Sequence, residues 1–354
     1  MNLIENELYR ADVSYVAAMP LPWEKFAGKT FLISGASGLI GSFFTDVLLF
    51  RNQKTNMDAR VLAIGRNEAA AKERFSYCWN EPSFHFIAHD INEPLTGEDF
   101  SEADVVLHLA SNTHPVAYAK DPIGTIAANI IGLKNMLDFA VKSRAARFAF
   151  ASSNEIYGEN RGDTETFDEG YCGYIDCNTL RAGYPESKRC GEALCQAYRS
   201  QCGLNVVLPR LTRSYGPTLR QSDTKAMSQF LRNALQGEDI VLKSAGNQYY
   251  SYTYVADAVS GLLTVLLCGK GGEAYNVADA ASDIRLKDLA GIIAAYAGRK
   301  VIFELPDAAE QAGYSRATKA RLDSTKLQGL GWKAKYDIQT GVERTLDIMK
   351  ALKL

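Results

Sequence analysis

Three absences shape the reading of this 354-residue chain. No apolar run approaches the ~20 residues that a membrane-crossing helix needs; Leu262 to Cys268 is among the longest. No charge of one sign dominates, because 39 basic side chains face 41 acidic ones, so neither a nucleic acid nor an anionic lipid surface is an expected partner. No Cys-x-x-Cys pair occurs among the seven cysteines, Cys78, Cys172, Cys177, Cys190, Cys195, Cys202 and Cys268. An odd, unpaired set fits neither a disulfide framework nor a zinc knuckle, and a reducing, cytoplasmic compartment is expected. Histidine is scarce too. His85, His89, His108 and His114 have no carboxylate or cysteine spaced to complete a ligand set, so no metal is expected. Glu5, Glu7, Arg10 and Asp12 crowd the first dozen residues, which does not match the layout of a secretory leader.

What is present is enough apolar sequence for a real core, 47% of residues, arranged as alternating strands and helices. Short apolar runs at Thr30 to Ser34, Val61 to Ile64, His85 to Ala88, Val105 to Leu109, Arg147 to Ala151 and Val206 to Leu208 read as buried parallel strands. Between them lie helical patterns: Ile40, Phe43, Phe44, Val47 and Leu48 on one face, then about 67 to 78, a long helix inside 120 to 143, and about Arg181 to Gln201. Such alternation predicts an α/β fold with a doubly wound parallel sheet. Residues 1–27 read as a helix-and-loop extension, 28–212 as a dinucleotide-binding domain, and 213–354 as a smaller mixed α/β segment, mainly substrate-binding, whose chain can cross back to the sheet.

Gly35-x-x-Gly38-x-x-Gly41 falls between the first strand and its helix. In that setting the first glycine permits a tight turn, the second lets backbone approach a pyrophosphate, and the third lets helix and strand pack closely. The helix N-terminus would then face the phosphates. At the end of the second strand, where an acid would bond the adenosine ribose of NAD, stands Gly65-Arg66-Asn67. Arg66 either pairs a 2′-phosphate, favouring NADP, or stacks on adenine. Asp90 either accepts from the adenine amino group or caps a turn.

Tyr184-Pro185-Glu186-Ser187-Lys188 sets a phenol and an ammonium four apart on one helix face. A lysine so placed can draw a tyrosine pKa down toward the working pH, as a base for an alcohol proton requires. Pro185 places Tyr184 in the first helical turn. Ser152-Ser153-Asn154-Glu155 leaves the strand Arg147 to Ala151 at the sheet's carboxyl edge, where open α/β folds bind ligands.

Together these motifs resemble the extended short-chain dehydrogenase/reductase family of nucleotide-sugar epimerases, dehydratases and decarboxylases, over roughly residues 28 to 335. The likeness also rests on His108-Leu109-Ala110, on Asn129 with Gly132, and on Arg210 to Pro217. It implies that Tyr184 is the base, Lys188 holds the nicotinamide ribose, and Ser153 bonds the sugar oxygen during reversible oxidation at C4. It implies a cofactor lined by Gly35, Ser37, Gly38, Leu39, Ile40, Gly41, Arg66, Asp90, Ile91, Leu109, Ala110, Ser111, Asn129, Tyr184, Lys188, Leu211 and Thr212. It implies a sugar nucleotide met by Thr113, Asn154, Arg181, Arg213 and Tyr250.

Glu155, a candidate second catalytic acid or base beside Ser153 and Tyr184, resembles the glutamate of the dehydratase and UDP-glucuronate decarboxylase branches. Asn154 stands where a dehydratase has an acid, and an amide cannot protonate a departing hydroxyl. Tyr250 takes the place of a family arginine, and Arg213 that of an asparagine. The expected activity is therefore decarboxylation of a UDP-hexuronate through a 4-keto intermediate, with a tightly held, recycled NAD and with NADP possible because of Arg66. Epimerisation, 4,6-dehydration, net NADPH-dependent reduction and a silent cofactor-binding scaffold are the rivals. The resemblance also implies a homodimer through a four-helix bundle built from the helices around 120 to 143 and 185 to 201. Cys190 and Cys195 read as core or helix-interface thiols.

Overall fold

The structure is a computed structural model that describes residues 2–100, 102–113, 120–304 and 318–354. Strands β1 (Thr30–Ser34), β2 (Arg60–Gly65), β3 (Phe84–Ala88), β4 (Val105–His108), β5 (Arg147–Phe150), β6 (Ser152–Ser153) and β7 (Val206–Leu211) follow one another along the chain, mostly with helices between them. After β8 (Arg213–Tyr215), β9 (Ile240–Leu242) and β10 (Tyr249–Tyr254), strand β11 (Ala274–Val277) returns to the edge of the same sheet. Every pairing in that sheet is parallel, in the order β3-β2-β1-β4-β5-β7-β11, with β6 continuing alongside β7. This is a Rossmann-like sheet. The order reverses between β1 and β4, where such sheets open a crevice for ligands.

A second, smaller sheet joins β8, β10, β12 (Asp283–Arg285) and β14 (Lys319–Ala320), while β13 (Val301–Phe303) pairs with β9. Aromatic and β-branched residues suit a half-buried pleat, and the tyrosine run 249 to 254 forms β10 along its whole length.

The sequence suggests that the helix after β1 has one apolar face, yet Ser42, Thr45 and Asp46 of helix Leu39–Thr55 are buried as well. Helices Glu7–Ala17 and Val255–Cys268 cover its other sides. The buried Asp46 carboxylate accepts from Tyr9, from Arg74 at 2.5 Å and from Tyr77 at 2.5 Å, so no charge is left unpaired. Asp12 does the same farther along, accepting from Tyr254 (2.7 Å), Tyr336 (2.6 Å) and Arg344 (2.6 Å). Through Asp12 the N-terminal helix clamps β10 to the C-terminal helix Ile338–Leu352. The helix expected over 67 to 78 is shorter, Glu68–Arg74, and begins at Asn67, whose side chain caps Ala70. The helix expected inside 120 to 143 is interrupted: Pro122–Ala127 and Leu133–Lys142 are joined by a π-turn, Ala128–Gly132.

Candidate active site

Gly35 has φ of +70°, and a Cβ there would meet the Ala110 backbone nitrogen at 2.8 Å. A Cβ on Gly41 would lie 2.4 Å from the Gly35 carbonyl oxygen. Both positions are therefore closed to any side chain. Gly38 N–H donates to Gly35 O at 2.9 Å, closing the turn, and Gly38 precedes a helix whose first turn has no side-chain cap. The N–H groups of that turn form an anion-accepting surface at the crevice. This cradle fits a dinucleotide pyrophosphate.

Helix Gly183–Cys202 starts beside this crevice, with Pro185 in its first turn. Its attachment is polar. Arg210 on β7 grips Glu192 through two bonds, Nε to Oε1 at 2.9 Å and Nη2 to Oε2 at 2.7 Å, and Ser152 donates to the same carboxylate at 2.5 Å. From the other side, Ser111 donates to Asn129 Oδ1 (2.8 Å), Asn129 Nδ2 donates to Ser187 (2.9 Å), and Ser187 donates to the Tyr184 carbonyl (2.8 Å). The π-turn presents Asn129 to this relay; such turns cluster at functional sites. The end of β4 is thus tied to the turn that carries Tyr184.

Tyr184 is buried and hydrogen-bonded with Ser153. Burial and then the charge of Glu155 push its pKa up, while Ser153 pulls it down. The Lys188 ammonium donates to Ala151 O at 2.8 Å and stands 4.5 Å from the Phe150 ring and 5.8 Å from the Tyr184 ring. Burial lowers the Lys188 pKa to about 7. His108 shares a 2.8 Å hydrogen bond with Ser34 and stacks on Phe150; burial and then Lys188 lower its pKa to about 3, so it is a neutral prop.

Beside Tyr184 opens a cleft lined by Asn154, Glu155, Arg181, Pro185 and Arg213 among others. Arg181 Nη2 donates to both Glu155 oxygens, at 2.8 and 2.7 Å. Arg213 lies 3.5 Å over the Tyr250 ring. The strand pairing explains the stack: β8 and β10 run parallel with Arg213 opposite Tyr252, so a long side chain reaches the diagonal neighbour. The Arg213 atom Nη1 is buried without a hydrogen-bond partner.

The remaining residues singled out from the sequence fall in several places. Asp90 accepts from Asn92 N–H at 3.0 Å, a turn cap. Ile91 is buried against Gly132. Leu109, Ala110 and Leu211 follow or end strands at the sheet's carboxyl edge, and Thr212 bonds the Ser251 carbonyl in the second sheet. Leu39 and Ile40 open the helix after the glycine turn. Thr113 accepts from Lys225 at 3.4 Å. Arg66 is exposed at the end of β2. Cys195 is buried as expected of a core thiol, but Cys190 is exposed because it falls on the outer face of its helix. His114, weighed with the other histidines, lies outside the described residues. Among the described residues no three His, Cys, Asp or Glu side chains gather as a metal site would require. No described helix is long and apolar enough to cross a membrane.

Sequence reasoning missed two groups. Glu192 with Arg210 is invisible because its halves lie on separate elements. Arg220, whose Nη2 donates to Ser37 Oγ at 2.9 Å, comes from beyond the expected domain boundary and carries no motif of its own.

Residues 31–278 match the model of the NAD-dependent epimerase/dehydratase family. The chain belongs to that family. It is 31% identical over 319 residues to UDP-glucuronic acid decarboxylase 1 of Danio rerio, covering 90% of this chain and 72% of that one. It is 33% identical over 249 residues to UDP-glucuronic acid decarboxylase 6 of Arabidopsis thaliana, covering 70% and 69%. Among solved structures it is similar to a UDP-glucuronic acid 4-epimerase from Bacillus cereus, crystallised with UDP-glucuronic acid and NAD (TM-score 0.78, 21% identity, 91% of this chain and 99% of that one). A dTDP-glucose 4,6-dehydratase from Streptomyces venezuelae, crystallised with NAD and TYD, gives a TM-score of 0.77 at 22% identity, over 91% and 97%. At these identities the solved structures establish the shared fold. The family membership accounts for the glycine cradle and for the tyrosine and lysine on one helix.

Proposed function

We propose that this epimerase/dehydratase-family protein decarboxylates a nucleoside-diphosphate hexuronate, UDP-glucuronate first among candidates, through a 4-keto intermediate. The bound dinucleotide supplies a hydride acceptor and donor. Ser153 positions the sugar's O4, and Tyr184 takes the O4 proton while hydride leaves C4. The resulting ketone makes the C5–C6 bond labile: its electrons flow to the C4 carbonyl, carbon dioxide departs, C5 is protonated, and hydride and proton return to C4 and O4. Lys188 lies beside Tyr184 as the cation that favours phenolate once substrate and cofactor complete the pocket.

One observation carries the choice of a hexuronate. Glu155 is neutralised by Arg181, whereas Arg213 has no carboxylate partner among the described residues, where its Nη1 is buried and unbonded beside the same cleft. A lone guanidinium held over an aromatic face suits a substrate carboxylate or diphosphate better than a neutral sugar. The names of the curated relatives agree with this reading. Bidentate contact with Arg181 makes Glu155 an acceptor and a brace, so Glu155 positions Arg181 in this state.

Purified protein incubated with UDP-glucuronate and other nucleoside-diphosphate hexuronates should yield a product lighter by one carbon dioxide. Loss of one water would make it a dehydratase, an unchanged mass with a shifted retention time an epimerase, and consumption of added NADPH a reductase. Isoleucines Ile123 and Ile131 are exposed around the π-turn, which packs beside helix Gly183–Cys202. The homodimer we propose would cover them through a four-helix bundle, and light scattering should return twice the 38.9 kDa chain mass.

A further inference from the structure

We infer that residues 216–225 form a strap across the dinucleotide crevice, fastened to the glycine turn by Arg220 on Ser37, and that this clasp slows both the entry and the release of the cofactor. The inference rests on the glycine cradle holding NAD, and it concerns how the cofactor is kept rather than which sugar is processed.

The strap begins where β8 ends. A Cβ on Gly216 would strike Val255 Cγ1 at 2.5 Å, and Leu219 N–H closes a turn on Gly216 O at 3.2 Å. At the far end, Arg232 of helix Ala226–Gln236 donates to the carbonyls of Gln221 at 3.1 Å and Asp223 at 2.8 Å. Between these ends the strap bonds both margins of the crevice. On the turn that follows β1, Thr218 donates to Leu39 O at 2.9 Å, and Arg220 donates through Nη2 to Ser37 Oγ at 2.9 Å and through Nε to Ser37 O at 3.4 Å. Beyond the end of β4, Thr113 Oγ1 accepts from Lys225 at 3.4 Å. The sheet order reverses between β1 and β4, so these bonds span the mouth of the ligand crevice itself.

The fastenings differ in depth. Thr218 is buried and Leu219 packs on the main core, whereas Arg220 is exposed, so its side chain is free to swing aside without disturbing the packing beneath. Both of its acceptors on Ser37 are neutral protein atoms, and the clasp needs no nucleotide to form. A bond made in the bound and the free protein alike lowers both states together and leaves their difference nearly unchanged. What it raises is the barrier between them, because nucleotide passes only when the strap lifts. Slow exchange suits the reaction proposed above. The hydride taken from C4 is returned to the same sugar, so cofactor lost in between would leave a keto sugar and no reductant.

The test measures nucleotide exchange in the full-length protein. Holoprotein mixed with excess isotopically labelled NAD+ reports release, read by mass spectrometry of the nucleotide that stays with the protein after rapid desalting; stripped protein mixed with NAD+ in a stopped-flow fluorimeter reports entry. Arg220→Gln should speed both by about 10-fold, a barrier change of about 1.4 kcal/mol, while Kd moves by less than ~3-fold. Ser37→Ala keeps the guanidinium and removes its nearer acceptor; it should speed both by ~3-fold or more, and adding it to Arg220→Gln should change little further, since the two break one contact. Faster release with unchanged entry, and a Kd raised in proportion, would overturn the clasp and make Arg220 a direct phosphate contact. Rates unchanged in either variant would overturn it as well, and Ser37→Ala carries the test alone if Arg220→Gln does not fold. No sugar enters these measurements, so their outcome is separate from that of the decarboxylation assay.

Discussion

On one side of Tyr184 the site is made of backbone; on the other it is made of charged side chains. The cofactor side depends on Gly35 and Gly41, where any Cβ would strike backbone atoms at 2.8 and 2.4 Å. The cleft side carries Glu155 with Arg181 and Arg213 with Tyr250, the pairs we propose to meet the sugar. A backbone constraint can be met by only one residue type, so it is written into the sequence as glycine. A charge requirement can be met from any strand that borders the cleft. Where the family resemblance leads one to expect a guanidinium at 250 on β10, this protein supplies one at 213 on the neighbouring β8.

Tyr184 stands at the boundary, and removing its hydroxyl should give the largest effect. Tyr184→Phe should lower turnover by about 10³-fold or more, while cofactor affinity, measured by titration, stays within a few-fold; general-base contributions are typically ~10²–10⁴. Turnover near the parent value would overturn the assignment of the base. Next, Arg213→Asn should cost ~10²-fold in kcat/KM, as expected when a charge-assisted contact of about 2–3 kcal/mol is removed. The double variant Arg213→Asn with Tyr250→Arg restores the expected family arrangement and should recover much of that loss. Failure of the double variant alongside loss in the single one would show that the stack, rather than the charge, is what the cleft requires.

The same contrast explains how much could be read in advance. Glycine spacing after an apolar strand reveals a turn because sterics admit nothing else, and Pro185 locates a helix start because its ring tolerates only the first turn. The pairing of Tyr184 with Lys188 was legible as a spacing, but the ammonium's bond to the Ala151 carbonyl was not, since that depends on where β5 ends relative to the helix. Glu192 with Arg210 and Arg220 with Ser37 join residues 18 and 183 positions apart. Register and crossover geometry create those contacts, and no local pattern announces them. The interruption at Ala128–Gly132 was equally hidden.

A gentler probe sharpens the cofactor side. Gly41→Ala adds one methyl against the Gly35 carbonyl and should destabilise the protein by about 1–3 kcal/mol, the usual cost of overpacking a tight site. Nucleotide affinity should fall with it, because the helix that faces the pyrophosphate is displaced. Gly38→Ala, whose Cβ would lie 3.1 Å from Gly35 O, should be milder in chemical denaturation. If the two were equal, close helix–strand packing would not be the reason for Gly41.

Lys188 belongs to both sides, since its ammonium packs over Phe150 from the sheet and stands beside the Tyr184 ring. Its folded pKa of about 7 lies below the unfolded value of roughly 10.4, so between these limits the unfolded chain binds the extra proton. Stability contributed by this group therefore rises as pH increases from about 7 toward 10, and the penalty is complete below 7. The slope from one such proton is at most about 1.4 kcal/mol per pH unit. Lys188→Met keeps the apolar stem and removes the titration. Denaturation of the empty protein at pH 7, 8 and 9 should show the parent gaining stability relative to this variant across the series. A constant difference would mean that the ammonium is solvated in the empty pocket, in which case the burial that ties the two sides together at this residue is not what sets its charge.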